Sequence, residues 1–233
     1  MIRFQNVSFC YQKDEPVLSA LNLEFQPGLT MLLGPNGCGK STLLKLAAGV
    51  EKPDAGTISI DGHDLWSQEV EARKNLAYVS EQPDLTPYAT LKEILNLVCR
   101  LRHEPLQKGR DALEFFDLQS FASRTVRELS LGQRRRAVFA AALVGKPSHI
   151  LLDEPLEGMD RKIKEDILAW TEHRLEAGTA MIVVSHAIEP FLQSVSKAIT
   201  VKDGSVLMLD ELPANREDRL ELLDKLAKGA SLH

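Results

Sequence analysis

Between Leu29 and Ala48 the chain passes from an apolar run through Gly34-Pro35-Asn36-Gly37-Cys38-Gly39-Lys40-Ser41-Thr42 and into a helical pattern. The spacing is that of a glycine, four residues, then Gly-Lys-Ser, set between a strand and a helix. Glycines let the backbone curl so that successive N–H groups point inward at anionic oxygens. The helix that follows turns its positive end toward the same spot. Lys40 brings a point charge for β- and γ-phosphates, and the Ser41 hydroxyl suits a divalent cation. A ligand-free glycine turn is the plainer alternative, and the pattern arises by chance in about one chain per hundred of this length. The flanking strand and helix reduce that chance, so Gly34 through Thr42 are read as phosphate contacts.

A second group lies further on, where His149-Ile150-Leu151-Leu152-Asp153-Glu154-Pro155 is an apolar strand that ends in two carboxylates. At a strand tip beside the phosphate loop, Asp153 suits an outer Mg²⁺ ligand, usually through water. Glu154 would face the terminal phosphate and polarise an attacking water. Taken alone, the pair is equally a solvated acidic turn. The third group is Leu129-Ser130-Leu131-Gly132-Gln133, where Ser130 and Gln133 have the spacing of a capping box at a helix start. Such a start is also a natural anion site.

In this order the three groups resemble the ATP-binding cassette (ABC) transporter family: Walker A, a helical stretch, the signature that usually reads Leu-Ser-Gly-Gly-Gln, then Asp-Glu. Leu131 departs at the signature's third, more tolerant position. The resemblance runs from about residue 2 to residue 210. It implies ATP and Mg²⁺ as cofactors, an ATPase activity, and a P-loop NTPase core. By the same resemblance, Tyr11 looks like the aromatic that stacks on adenine. Gln82, in Ala77–Gln82, looks like the glutamine that touches Mg²⁺ and the attacking water and lies next to a membrane partner. His186 looks like the switch histidine that contacts the γ-phosphate, and Asp160 like the aspartate that faces the opposite subunit. Ser130, Gly132 and Gln133 would act in trans, on ATP held by a second cassette that is a copy or a paralogue. A polytopic membrane transport subunit is the other partner implied, with this chain on the inner face of the cell membrane. The segments Leu85–Glu93 and Glu157–Asp160 are similar to those of exporting systems, so export is the expected direction. The rivals are a soluble cassette ATPase of translation or DNA repair and a non-hydrolysing regulatory cassette. The short interval between Thr42 and Leu129 argues against the first, and intact Lys40, Glu154 and His186 against the second.

These side chains need an α/β frame, and the alternation of short apolar runs with helical patterns provides one. Strands are expected over Ile2–Phe9, Leu18–Phe25, Leu29–Leu33, Thr57–Ile60, Leu76–Ser80, His149–Leu152, Ala180–Val184, Ala198–Val201 and Val206–Leu209. The early strands look antiparallel. The solidly apolar Leu29–Leu33, Ile150–Leu152 and Met181–Val184 look like buried parallel strands, so the sheet is mixed. Helices are expected over Gly39–Ala48, Leu91–Arg102, Arg110–Phe116, Leu131–Val144, Arg161–Glu176 and Arg219–Lys228. From Pro83 to Leu129 the pattern is helical only, an insertion taken to end near residue 135. A closing helix at about 213–230 completes a single domain.

Composition narrows the classes. A net charge of -5 argues against a chain that mainly grips nucleic acid, and Arg134–Arg136 are read as a solvated face. The longest apolar run, Ala137–Val144, falls well short of the roughly 18 residues of a membrane span. The opening Met1-Ile-Arg-Phe enters a strand pattern with no signal peptide. Cys10, Cys38 and Cys99 lack the spacing of a disulfide framework or a zinc site, which fits a cytoplasmic chain. Cys38, inside the curl of N–H groups, has surroundings that favour a thiolate.

Overall fold

An apolar run buries as a strand only where both of its faces are covered, and here each face has its own core. The computed structural model describes residues 1–12, 15–82, 85–202 and 204–229. The expected boundaries at Pro83 and at residue 230 lie outside them. In chain order the elements are β1 (Ile2–Gln12), β2 (Glu15–Phe25), β3 (Gly28–Leu33), α1 (Lys40–Ala48), β4 (Ala55–Ile60), β5 (His63–Asp64), α2 (Glu69–Arg73), β6 (Leu76–Val79), α3 (Leu91–Leu101), α4 (Leu106–Phe115), α5 (Leu131–Leu143), β7 (His149–Asp153), α6 (Arg161–Glu176), β8 (Ala180–Val184), β9 (Val195–Lys202), β10 (Ser205–Leu209) and α7 (Arg216–Ala227). Among the described residues, no helix is long and apolar enough to cross a membrane.

The strands form two sheets. One is antiparallel, in the order β2-β1-β4-β5, and the other runs β10-β9-β3-β8-β7-β6. In the second, β9, β3, β8, β7 and β6 pair in parallel and β10 pairs antiparallel to β9, so the sheet is mixed. Side chains alternate between its two faces. Leu29, Met31, Leu33, Ile150, Leu152, Met181 and Val183 join the core shared with α3–α7. Leu32, Leu151, Ile182 and Val184 join the core that packs on α1 and the antiparallel sheet.

Between β6 and β7 the described residues hold helices and short 3₁₀ turns and no strand. They do not build a core of their own. Leu91, Leu95, Phe116 and Phe139 pack in one cluster with Val79 and Ile150 of the sheet. Thr90 and Glu93, three residues apart, cap α3 as a reciprocal box. α4 begins four residues earlier than expected, at Leu106, because Gly109 reads as a helix breaker but serves packing. A Cβ there would lie 3.1 Å from Cys99 Sγ and 3.2 Å from Leu95 Cβ, so glycine lets α4 close on α3. α2 and β5 went unanticipated, being too short to carry a period.

The triplet Arg134–Arg136 is not the solvated face that was expected. Arg134 donates to the carbonyls of Leu129 and Arg127, Arg135 to that of Glu157, and Arg136 to that of Phe116. The first turns of α5 are wedged between the helical segment and the loop after β7, where many carbonyls lack helix partners. Long guanidinium side chains reach them.

Arg102 joins the helical segment to the sheet. Its guanidinium donates to Ala142 O (3.1 Å), Leu76 O (3.3 Å) and Val144 O, so one residue after α3 ties the ends of α5 and β6 together. We expect Arg102→Leu to leave these carbonyls without a donor and to destabilise the fold by about 2–4 kcal/mol, read from the midpoint of urea unfolding. A change below about 0.5 kcal/mol would show that the clamp contributes nothing.

Candidate active site

The register of the parallel strands decides what meets at their carboxyl ends. β3 pairs with β8 and β8 with β7, so the loop after Leu33, the turn after Val184 and the end of Asp153 lie side by side. This edge is where open α/β sheets place ligands. The cleft there measures about 510 Å³ and is walled by Tyr11, Lys40, Ser41, Asp153, Glu154 and His186, among others.

The phosphate loop needs its glycines for two reasons. Gly34, Gly37 and Gly39 have φ values of 137°, 79° and 108°, a region unfavourable to side chains. A Cβ at Gly34 would also lie 2.8 Å from Cys38 Sγ and 3.1 Å from Val201 O. Cys38 is thus a half-buried thiol that backs the loop. Lys40 Nζ donates to Gly34 O (2.7 Å) and Pro35 O (2.9 Å), which arches the ammonium over the curl. Thr42 is buried in the first turn of α1, and its hydroxyl lies 3.3 Å from that of Tyr11. Tyr11 also sets its ring edge-on to Phe9 at 4.9 Å, while 55% of the residue stays exposed.

Asp153 is 4% exposed, and its Oδ1 has no hydrogen-bond partner among the described residues. Burial pushes its carboxyl above the usual Asp range, with a smaller push from Glu81; the Ser41 hydroxyl, Lys45 and Lys40 pull the other way. A desolvated, partnerless oxygen beside a serine hydroxyl is the donor chemistry of a hard divalent cation. No cluster of three or more His, Cys, Asp or Glu side chains suited to a metal occurs among the described residues. A cation here would therefore share its coordination with ligand oxygens and water, and the residues fit Mg²⁺ on those terms.

Glu154 holds a left-handed backbone conformation, φ 47°, which costs a residue with a side chain about 1–3 kcal/mol. Two contacts with the end of β8 hold it there. Its N–H donates to Val184 O at 2.9 Å, and its carboxylate accepts the backbone N–H of His186 at 3.0 and 3.1 Å. Burial is the largest influence on the Glu154 carboxyl and raises it; the His186 N–H opposes that, and Asp153 and Glu157 add to it. The imidazole of His186 lies 3.6 Å from the same carboxylate. A half-buried carboxylate of raised basicity beside a phosphate loop is the arrangement of a general base.

The remaining sequence candidates lie apart. Gln82 borders a neighbouring cavity of about 820 Å³, which shares Ser41 and Asp153 as a wall but also reaches Val98, Arg102 and Val138 of the helical side. Ser130 caps α5, accepting the N–H of Gln133 at 3.2 Å, while Gln133 Oε1 accepts the N–H of Ser130 at 2.9 Å. Asp160 caps α6, accepting from Ile163 N at 3.0 Å. None of Ser130, Gly132, Gln133 and Asp160 lines the cleft. Two further carboxylates line the cleft, those of Glu81 and Glu157, to which the sequence pattern assigns no chemical role. Glu81 adjoins Gln82 and Glu157 lies midway between Glu154 and Asp160, and a charge at a motif's edge carries no periodic signal.

A family profile described as ABC transporter matches residues 18–157. The chain is 36% identical over 200 residues to the sulfate/thiosulfate import ATP-binding protein CysA of Gloeobacter violaceus, with 83% of this chain and 58% of that protein covered. It is 30% identical over 212 residues to the SkfA peptide export ATP-binding protein SkfE of Bacillus subtilis, with 89% and 87% covered. Among solved structures, the dimeric bacterial ABC transporter cassette MJ0796 superposes with a TM-score of 0.79 at 27% identity, covering 90% of this chain and 98% of that one. The same cassette has been solved as a dimer in a post-hydrolysis state bound to ADP and Pi. The chain thus spans little more than half of the importing relative and most of the exporting one.

Asp153→Asn removes a buried charge whose desolvation outweighs the help of Ser41, Lys45 and Lys40 in metal-free protein. In EDTA at neutral pH we expect the variant to melt at least about 2 °C higher than the parent. The raised carboxyl sets the sign: the charge weakens the fold above that raised value and is absent below the ordinary Asp range. The gain should therefore vanish as the pH falls to about 4. A lower melting point for Asp153→Asn at neutral pH would contradict this account.

Proposed function

This chain belongs to the ABC transporter family, and from that premise we propose that it hydrolyses ATP in pairs of cassettes to drive a separate membrane-spanning partner. As a member it is an ATP-binding subunit and a transport ATPase. The observation that carries the proposal is the convergence of Lys40, the orphan oxygen of Asp153 and the pinned carboxylate of Glu154 on one cleft.

In this reading the N–H groups of Gly34–Gly39 and the start of α1 hold the phosphates, and Lys40 exchanges loop carbonyls for β- and γ-oxygens. Tyr11, braced by Phe9 and Thr42, offers its exposed face to the base. Ser41 and Asp153 would hold Mg²⁺, with Gln82 approaching from the neighbouring cavity. The ion would supply charge neutralisation on the phosphate oxygens. Glu154 orients the attacking water and accepts its proton. His186 fixes Glu154 through its backbone and presents its imidazole to the γ-phosphate.

Ser130, Gly132, Gln133 and Asp160 stand outside their own chain's cleft, and Leu131 is 62% exposed. That supports their use on the nucleotide of a second cassette, and the dimeric assembly of MJ0796 favours the same reading. The γ-phosphate then glues the two halves together, and its loss releases them. The cavity beside Gln82, walled partly by α3 and α5, suits the passage of that motion to a polytopic partner on the inner face of the membrane. Relatives named for import and for export both match, so the proposal of export rests on Leu85–Glu93 and Glu157–Asp160 alone.

Replacing Glu154 with Gln should lower the turnover number by at least about a hundredfold. ATP affinity should stay within a few-fold, and a stable dimer should form with Mg·ATP, seen by light scattering on a sizing column. Phosphate release at the parent's rate would refute the base assignment. A parent that binds ATP and releases no phosphate would point to the regulatory cassette. Co-purification of a polytopic membrane protein separates the transporter from a soluble ATPase.

A further inference from the structure

The guanidinium of Arg135 has no part in the mechanism above, yet it is only 14% exposed by side chain and lies behind the acidic strand end. It donates to the backbone carbonyl of Glu157, and its Nη2 lies 3.6 Å from the Glu157 carboxylate. Together with Asp153, Glu154 and Pro155 it also walls a small void. Glu157 itself lines the nucleotide cleft. The next residue, Gly158, has φ 67°, and a Cβ there would lie 3.1 Å from Arg135 Nη1. The carbonyl of Gly158 lies 4.0 Å from where a Cβ of Gly132 would stand. So the second turn of α5 is fastened to the loop between Glu154 and Asp160, and its first turn abuts that loop. Leu156 and Met159 anchor the loop's other side in the core.

We propose that Arg135 is a positioning residue that locks the capped start of α5 to the loop from Glu154 to Asp160, so that one chain presents both to its partner as a single rigid surface. The inference rests on the two-cassette reading above. Without the lock, the helix start and the loop would have to be ordered against each other as the dimer closes. That ordering opposes association, whereas preorganisation removes it. The guanidinium reaches the carbonyl through Nη1 and faces the carboxylate with Nη2, whereas a lysine brings all its donors on one nitrogen and lacks the planar fork, so it should hold the pair less firmly.

The test uses the hydrolysis-dead Glu154→Gln chain, followed by analytical ultracentrifugation with saturating Mg·ATP. Adding Arg135→Met, which keeps an apolar stem, should raise the dimer dissociation constant about tenfold or more. ATP affinity of the monomer, measured with a fluorescent analogue, should stay within about twofold. Arg135→Lys should recover part of the loss. With Glu154 intact, Arg135→Met should lower kcat about tenfold with KM for ATP within about twofold. Glu157→Ala, which keeps the carbonyl bond, should weaken the dimer by a smaller factor and serves if Arg135→Met does not fold. If Glu154→Gln dimerises equally well with and without Arg135→Met, the lock is refuted and the two-cassette reading stands. A loss that merely follows weaker ATP binding refutes it too. If Glu154→Gln alone stays monomeric with Mg·ATP, the two-cassette reading falls and the inference falls with it.

Discussion

The site depends on the parallel register of β3, β8 and β7 more than on any single side chain. Because β8 lies between the other two strands, the phosphate loop and the acidic strand end are brought to opposite sides of one turn, Ser185–Ala187. That turn is itself tied by Ser185, which is buried and accepts the N–H of Ala187 at 3.1 Å. It is this turn that presents the His186 N–H to Glu154. A slip of one residue in either pairing would move every core side chain of the strand to the other face. Both faces are buried, so such a slip would break two cores at once.

Buried charge is what this arrangement costs the fold. Asp153 and Glu154 lie within a cleft that also contains Glu81 and Glu157, and among its wall residues Lys40 brings the one permanent positive charge. Burial lifts both central carboxyls, and Glu154 also carries a strained backbone. Sites that hold a nucleophile or a base are commonly drawn from such strained, poorly neutralised positions. Two cores on either side of the sheet keep the strand ends in place despite it.

Arginines make the connections that apolar packing leaves open. Arg102 ties α3 to the ends of α5 and β6, Arg136 ties α5 to the end of α4, and Arg135 ties α5 to the loop beyond Glu154. The acceptors are main-chain carbonyls at element ends or, for Arg135, in the turn between β7 and α6, where intrahelical or ladder bonds run out. A planar fork with several donors can serve more than one such carbonyl. The helical segment is therefore joined to the sheet by a common apolar core and by point attachments, one of which fastens α5 to the loop that follows Glu154.

Much of this was legible in the residues themselves. The glycines of the phosphate loop, the serine-capped start of α5 and the apolar runs of β3, β7 and β8 are local devices, and local physics acts on neighbours in sequence. Boundaries were clearest where a cap marked them, as at Thr90 and Ser130, and failed at α4, where Gly109 serves a contact with α3 rather than a turn. What the sequence could not convey was which distant groups would meet. Glu81 and Glu157 enter the cleft, Gln82 lines a different cavity, and three successive arginines reach carbonyls in different segments. Those outcomes depend on strand order and on the angle at which α5 meets the sheet. Strand order and helix angle arise from burial summed over the whole chain, and no short window of sequence contains that sum.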